Sequence, residues 1–205
     1  MFQQFKQDCL AKKDKSKKGT VDIKIVPLVD LINSLEHYYT TSSCSGRIVI
    51  GKPHKSGRKD KFKWLYCSHA LASIADIQEA IATCKKGELW FSMEPAILHV
   101  VADTMERAML MLNCARNFGF RKSGIISHNQ KKTTMELIST GHIHFPFKVE
   151  LLDNMFLQYS ITMANAKLKK TWLKITKMEE MIKKNKKLFE QHYQSSSYNK
   201  DRKSC

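Results

Sequence analysis

Apolar and polar positions in the first half of the chain follow two periods, which predict one helix followed by strands. Apolar residues recur at helical intervals over 25–35, and the helix begins between Asp22 and Pro27, because proline is tolerated only in a first turn. β-Type composition and alternation then predict three strands, at 38–44, 47–50 and 62–69. Ser45-Gly46 is predicted to form a tight turn between the first two strands.

The second half of the chain predicts three more helices and two pairs of strands. The helices are 74–84, one opened by an Asp103-x-x-Glu106 capping box and closed by Gly119, and a long one from about Leu151. The strand pairs are 89–93 with 96–101, and 121–127 with 133–140. Residues 194–205 are polar, and we expect them to be disordered.

This order of elements predicts the fold class. We expect an α/β fold of α+β-like order: a mixed, largely antiparallel sheet with flanking helices and a long basic C-terminal helix. Residues 1–193 are expected to form a single domain. The eight glycines never fall as GxGxxG or GxxxxGK[ST], which argues against a dinucleotide-binding fold and a P-loop.

Positive charge changes this picture of an ordinary globular chain. Of 205 residues, 35 are Lys or Arg and 19 are Asp or Glu, a net charge of +16 that concentrates in residues 1–18, 52–63 and 165–205. A single basic run is equally typical of a solvated face or a disordered tail. Three of them together favour a nucleic acid partner, whose phosphates they would hold without specifying its sequence.

Other features of the composition exclude several classes. The chain has no apolar run long enough for a signal peptide or a membrane span, so we expect a cytoplasmic protein. Its six cysteines are widely spaced, without a CxxC, which argues against a zinc module and a redox motif. Reduced thiols are therefore expected.

The most unusual stretch is TTSSCSGR at 40–47, here called the signature segment. It holds five hydroxyls, a thiol, one glycine and one arginine at a junction between strands. Small donors and one guanidinium suit a bound carboxylate or phosphate. Composition alone favours the simpler interpretation, a Ser/Thr-rich turn with a buried Cys44.

The signature segment resembles the (S/T)xSSCxGR motif of the wybutosine-synthesis tRNA methyltransferases, the third enzymes of that pathway. The resemblance extends over about residues 5–193. Other matching pieces follow in the family's order: GTVD at 19–22, Trp64 with His69, EPAILHV at 94–100, GFRKSG at 119–124 and Ala164-Asn165.

The resemblance implies a specific reaction. The family transfers a methyl group from S-adenosylmethionine to N4 of the aminocarboxypropylated tricyclic guanine beside the anticodon of phenylalanine tRNA. It also implies a fold unlike that of Rossmann-type methyltransferases, and a chemistry that needs no metal. The expected partner is tRNA that already carries the precursor base.

The same resemblance assigns an active centre with Asp22 and His99 as catalytic residues. His99 would act as a base or hydrogen-bonding partner, although a histidine in an apolar strand is often a core residue. Asp22 would orient His99, accept a proton or bind cofactor hydroxyls, or it would only cap the first helix. The cofactor-binding positions are those of the motif: Thr40, Ser42, Ser43, Cys44, Gly46 and Arg47.

Within that motif the expected roles differ. Ser42, Ser43 and Gly46 would meet the methionine end of the cofactor, and Arg47 would pair with its carboxylate or with a substrate phosphate. Cys44 fits a packing role better, because direct methyl transfer needs no covalent enzyme intermediate.

Candidate RNA contacts lie elsewhere in the chain. Trp64 would stack on a base, although aromatic residues on strands are more often core. The basic candidates are Arg121 and Lys122 after a helix stop, and Lys183, Lys184, Lys186 and Lys187 on the last helix. The pairs Cys67-x-His69 and His142-x-His144 are possible metal ligands, but structural or surface roles are favoured, and no metal is expected.

Two other functional classes compete with the methyltransferase. A non-catalytic basic RNA-binding module would account for the charge but not for the signature segment. A hydrolase using Cys44 and His99 would account for the site but not for the charge.

Overall fold

The computed structural model describes residues 1–12, 21–53 and 62–191. The polar tail 194–205 and most of the basic loop 52–63 lie outside the described residues. The helices are α1 (Phe2–Leu10), α2 (Val26–Ser34), α3 (Ile74–Ala82), α4 (Met105–Asn117), α5 (Asn154–Lys184) and α6 (Lys186–Glu190), with a 3₁₀ turn at Val149–Leu151. The strands are β1 (Tyr38–Cys44), β2 (Arg47–Lys52), β3 (Lys63–Ser68), β4 (Glu88–Glu94), β5 (Ile97–Ala102), β6 (Gly124–Asn129), β7 (Lys132–Ile138) and β8 (Ile143–Lys148).

The strands form two four-stranded sheets where one was expected. The first sheet has the order β1-β5-β7-β6 and the second β3-β2-β4-β8, and each described strand pair is antiparallel. Two sheets arise because the chain changes sheet three times, between β1 and β2, between β4 and β5, and between β7 and β8. Ser45-Gly46 is therefore not a hairpin turn. The α/β class and the antiparallel character are confirmed.

Each sheet has its own hydrophobic core, and α5 contributes to both. The first core packs α2, α4, α6 and the end of α5 against the first sheet, with Leu98, Val100, Met135 and Leu137 at its centre. The second core packs α3 and the start of α5 against Ile48, Ile50, Phe91 and Met93 of the second sheet. Along α5, Leu157 to Leu168 serve the second core and Ile175 to Ile182 the first.

Most helix boundaries follow the expected local signals. Pro27 lies in the first turn of α2, and Gly119, with a φ of +91°, follows the end of α4. The predicted capping box is wrong by one residue: Thr104 is the N-cap of α4, and its side chain accepts from the Arg107 amide. Asp103 instead accepts from Arg107 Nη1 at 2.6 Å.

The sequence patterns did not predict α1 and β8. Helix α1 lies against β1, where the Phe2 ring is 5.5 Å from that of Tyr39 and Lys6 Nζ donates to the Leu35 carbonyl at 2.5 Å. Strand β8 pairs with β4 at the edge of the second sheet, a position that tolerates Pro146.

The C-terminal end of the described chain packs back on the first core. The Phe189 ring lies 6.0 Å from that of Tyr38, and Arg107 Nη2 donates to the Gln191 carbonyl at 3.0 Å. The single domain 1–193 stays a prediction. Among the described residues, no helix combines the length and the apolar character that a membrane span requires.

Candidate active site

The signature segment lies where the chain passes from the first sheet to the second. Gly46 has a φ of +92°, and a Cβ there would lie 3.0 Å from both the Glu94 carbonyl oxygen and the Leu168 side chain. Both the backbone angle and the space therefore require glycine. The passage between the sheets therefore requires the glycine of the motif on structural grounds, whether or not a ligand binds there.

A β-bulge in β1 decides which way Ser42 faces. Thr40 lies opposite Val100 and Ser42 opposite His99, so Thr41 is the extra residue between them. In a regular strand without the bulge, Ser42 would share the core face of Thr40, because alternate residues of a strand point the same way. The bulge instead places Ser42 on the open face of the first sheet.

On that face three polar side chains from three neighbouring strands form a hydrogen-bonded row. Ser42 Oγ is 2.8 Å from His99 Nδ1, and His99 Nε2 is 3.0 Å from Glu136 Oε1. A carboxylate only accepts, so a neutral His99 donates its single N–H from Nε2 to Glu136. Nδ1 then accepts a hydrogen bond from the Ser42 hydroxyl, which makes His99 a base toward Ser42.

His99 is not a core residue. Its neighbours Leu98 and Val100 are fully buried on the opposite face of β5, whereas His99 is only half-buried. Most residues of β5 are apolar because the strand lies in the middle of the first sheet. The alternation of its side chains directs the imidazole of His99 to the open face.

Asp22 lies beside the signature segment and does not occupy the N-cap of α2, which is Ile25. Its carboxylate is buried, with 5% of the residue exposed. Oδ2 accepts from the Ser45 amide at 3.0 Å and lies 3.3 Å from His69 Nε2. The helix-capping alternative is therefore wrong, and Asp22 holds the crossing segment in place.

His69 is positioned by the loop after β3. Asn165 of α5 fixes this loop, because its Oδ1 accepts from the Ala72 amide at 2.9 Å and its Nδ2 donates to the Ala72 carbonyl at 2.8 Å. Asn165 lies well inside α5. The helix thereby anchors the loop that follows His69.

Asp22, Cys44 and His69 bring three possible metal ligands together, with donor atoms within 4.8 Å of one another. A carboxylate, a thiol and an imidazole form a set that a zinc-class ion accepts. In the metal-free protein, burial raises the pKa of the Cys44 thiol to about 11, so the thiol is protonated at neutral pH. The same protonation argues against Cys44 as the nucleophile of a hydrolase.

Arg47 begins β2 and already has partners within the protein. Its Nε donates to Glu94 Oε2 at 2.5 Å, and its guanidinium lies 4.7 Å from the centre of the Trp64 ring. A ligand anion would thus have to approach the terminal guanidinium nitrogens. Trp64 is 41% exposed and is not a core residue.

Two other residues of the signature segment, Thr40 and Ser43, take no part in the hydrogen-bonded row. The Thr40 amide and hydroxyl donate to Asn33 Oδ1 at 2.8 and 3.2 Å, which ties β1 to α2. Ser43 lies half-buried opposite Leu98.

The six basic candidates are all exposed, namely Arg121, Lys122, Lys183, Lys184, Lys186 and Lys187. Among them, Lys183 pairs with Glu179 and Lys186 with Glu190.

Sequence reasoning missed Glu136 and Glu94 and undervalued His69. The contact between Glu136 and His99 depends on β5 and β7 being neighbours, which no local pattern reveals. Glu94 and His69 stood within the matching family pieces, so the resemblance was the available signal for both.

Comparison with known proteins identifies one family. The model of the family described as "Methyltransferase TYW3" matches residues 3–184. The chain is 38% identical over 177 residues, 85% of this chain and 90% of the relative, to the Thermococcus sibiricus "tRNA(Phe) 7-((3-amino-3-carboxypropyl)-4-demethylwyosine(37)-N(4))-methyltransferase". It is 34% identical over 187 residues, 88% of this chain and 74% of the relative, to the Danio rerio "tRNA wybutosine-synthesizing protein 3 homolog".

A solved structure shares the fold. The PH1069 protein of Pyrococcus horikoshii superposes with a TM-score of 0.79 at 35% sequence identity. The match covers 88% of this chain and 95% of that one.

Proposed function

The chain belongs to the TYW3 methyltransferase family, and from this premise we propose that it methylates N4 of 7-(3-amino-3-carboxypropyl)-4-demethylwyosine at position 37 of tRNA(Phe), as the names of its relatives describe. The protein is a tRNA methyltransferase of wybutosine synthesis, so the family resemblance of the sequence is confirmed. The observation that carries the catalytic proposal is the hydrogen-bonded row of Ser42, His99 and Glu136, together with a buried Asp22 that accepts from the Ser45 amide just beyond the end of β1.

The methyl donor in this proposal is S-adenosylmethionine, whose sulfonium supplies an electrophilic methyl group when bound. The residues of the crossing fit such a group chemically. Ser42 and Ser43 offer hydroxyls, and the terminal nitrogens of Arg47 suit a carboxylate. The buried Asp22 carboxylate places a negative charge beside the segment, where it would stabilise a positively charged donor.

The protein's own contribution to the chemistry is the removal of one proton. The nitrogen that gains the methyl group must lose a proton as its electron pair forms the new N–C bond. We assign the acceptance of that proton to Ser42 Oγ, whose own proton passes to His99 Nδ1. Glu136 stabilises the resulting imidazolium through Nε2. His99 thus acts as the base through Ser42.

The RNA enters the proposal through the exposed basic residues and Trp64. Arg121, Lys122 and the four lysines of α5 and α6 would contact phosphate, and Trp64 would stack on a base. A cytoplasmic location, reduced cysteines and the absence of a metal requirement stay predictions.

The test uses tRNA isolated from cells that lack this protein, so that the precursor base accumulates. With S-adenosylmethionine, the purified protein should add one methyl group to that nucleoside, as measured by mass spectrometry of digested tRNA. We expect His99→Ala to lower turnover roughly 100-fold, with cofactor affinity nearly unchanged. Calorimetry that detects no binding of S-adenosylmethionine, with or without tRNA, would refute the proposal and favour a non-catalytic RNA-binding module.

A further inference from the structure

The second sheet carries a row of aromatic rings on its open face, outside the residues assigned above. Trp90 of β4 lies with its ring centre 4.5 Å from that of His144, at an interplanar angle of 30°. The His142 ring lies 5.5 Å from His144, at 20°. We call Trp90, His142 and His144 the stacking row.

The alternation of β8 directs these rings to solvent. Ile143, Phe145 and Phe147 pack against the second core, while His142, His144 and Pro146 are exposed. Such a strand has one face in the core and one face available to a ligand.

Hydrogen bonds hold two of the rings in position. Ser92 Oγ lies 2.6 Å from His144 Nδ1, and Trp90 Nε1 donates to Glu88 Oε1 at 3.0 Å. Side chains fixed in this way lose little conformational freedom when a ligand binds.

The row adjoins the proposed active centre. Strand register places Arg47 opposite Glu94 and Ser92 opposite His144. Glu94 and Ser92 are alternate residues of β4, so they share a face and lie roughly 7 Å apart along the strand. Arg47 and His144 lie on the two strands that flank β4, so the stacking row shares the face of Arg47 and begins roughly 12 Å from it along the backbone of the sheet.

The electrostatic setting suits a polyanion that carries planar groups. Burial, His144 and Lys122 together lower the pKa of His142, which keeps its ring neutral at pH 7. The basic residues Lys122 and Lys148 are exposed near the two ends of β8, and the chain as a whole carries +16. Stacked rings flanked by lysines match unpaired bases on a phosphate backbone.

We propose that the stacking row binds unpaired bases of the anticodon loop, next to the nucleotide that is methylated. This inference rests on the proposed function, because it assumes that the target base enters the site beside Arg47. Base stacking is tolerant of sequence, so the row positions the loop and leaves selection of the modified base to the active centre.

The test measures affinity for an unmodified RNA stem-loop with the anticodon sequence of tRNA(Phe), in the absence of a methyl donor. The double variant His142→Ala/His144→Ala should bind about tenfold more weakly. The titration is run at pH 8, above the ordinary pKa of an imidazole, so the substitution removes stacking and the slope of log affinity against log salt should stay unchanged. The double variant His142→Phe/His144→Phe keeps the rings and should retain most of the affinity.

A matched control is His128→Ala, which removes an exposed histidine from the first sheet. It should leave the affinity unchanged. Equal losses in the Ala and Phe double variants, a reduced salt slope or an unchanged affinity of the Ala variant would each overturn the proposal. Since no methyl transfer is measured, failure of the proposed reaction and failure of RNA stacking give separate results.

Discussion

Glu136 lies 37 residues beyond His99 in the sequence, yet it is the carboxylate that His99 contacts. The two residues face each other across β5 and β7, in a row that continues to Ser42 on β1. The row fixes the tautomer of His99, so that its basic nitrogen faces the hydroxyl proposed to receive the substrate proton.

Replacing Glu136 with Gln tests this role. The amide of glutamine cannot stabilise an imidazolium as a carboxylate does, so we expect kcat to fall roughly 10- to 100-fold, with little change in KM for tRNA. The ¹⁵N spectrum of the imidazole should show loss of the pure Nε2–H tautomer. The control is Thr134→Val, on the same strand and face. Equal kcat values, or a loss confined to KM, would assign Glu136 a merely structural role.

The thiol of Cys44 supports a second prediction at this scale. Burial raises its pKa to about 11, so at pH 8 only ~0.1% of it is thiolate, the form that reacts with iodoacetamide. In the folded protein Cys44 should be alkylated roughly 100-fold more slowly than in urea, and the rate should rise with pH up to about 11. Peptide mass spectrometry measures the rate at which Cys44 is alkylated. Rapid alkylation of the native protein at pH 8, with loss of activity, would support the hydrolase alternative instead.

Among the elements, the crossing between the sheets depends on Gly46. Gly46→Ala combines a left-handed backbone with two contacts of 3.0 Å, and we expect it to lower the free energy of unfolding by about 2–4 kcal/mol. Gly141→Ala, at a φ of +114° in open space, should cost about 1–2 kcal/mol. Gly124→Ala has neither constraint and should change stability by less than about 1 kcal/mol. Urea titrations of the three variants measure these differences, and a different order of stabilities would contradict the structural role of Gly46.

Local patterns predicted most elements because periodicity is a local property. Alternation marked β5 and β7, and helical spacing marked α2 and α4. Helix α1 was missed because its apolar face is narrow, with Phe2 and Phe5 set among polar residues. Strand β8 was missed because Pro146 argues against a strand, except at an edge.

The division into two sheets and the assembly of the site follow from long-range pairing. Nothing within residues 38–52 indicates that β1 and β2 join different sheets. The residue types of the site were available from the family resemblance, which pointed to Asp22, Ser42 and His99. Their partners Glu136 and Ser45, and the bulge at Thr41, depend on strand register that only the structure provides.

At the scale of the whole molecule, charge and chemistry are segregated. The proposed active centre lies where the chain passes between the two sheets, and α5, which holds the adjoining loop through Asn165, continues from there to the basic C-terminal end of the described chain. That end packs on the first core through Phe189, so its lysines are carried by a fixed element. A rigid basic surface can place phosphates in one register relative to the site.

The four lysines at this end, Lys183, Lys184, Lys186 and Lys187, test that arrangement. They flank Asn185, where α5 ends and α6 begins, and Lys183 and Lys186 pair with Glu179 and Glu190. Replacing all four with Ala should weaken tRNA binding and flatten the slope of log affinity against log salt by about 0.7 to 0.9 for each phosphate that the protein no longer neutralises. Filter binding at several salt concentrations measures both quantities.

Two double variants separate the contributions of these lysines to the salt slope. Lys184→Ala/Lys187→Ala should flatten the slope more than Lys183→Ala/Lys186→Ala, because the second pair already forms intrahelical ion pairs that partly offset its charge. Methyl transfer at saturating tRNA should be unchanged in both, since neither touches the active centre. An unaltered slope in the quadruple variant would assign the phosphate contacts to other basic residues, such as Arg121 and Lys122.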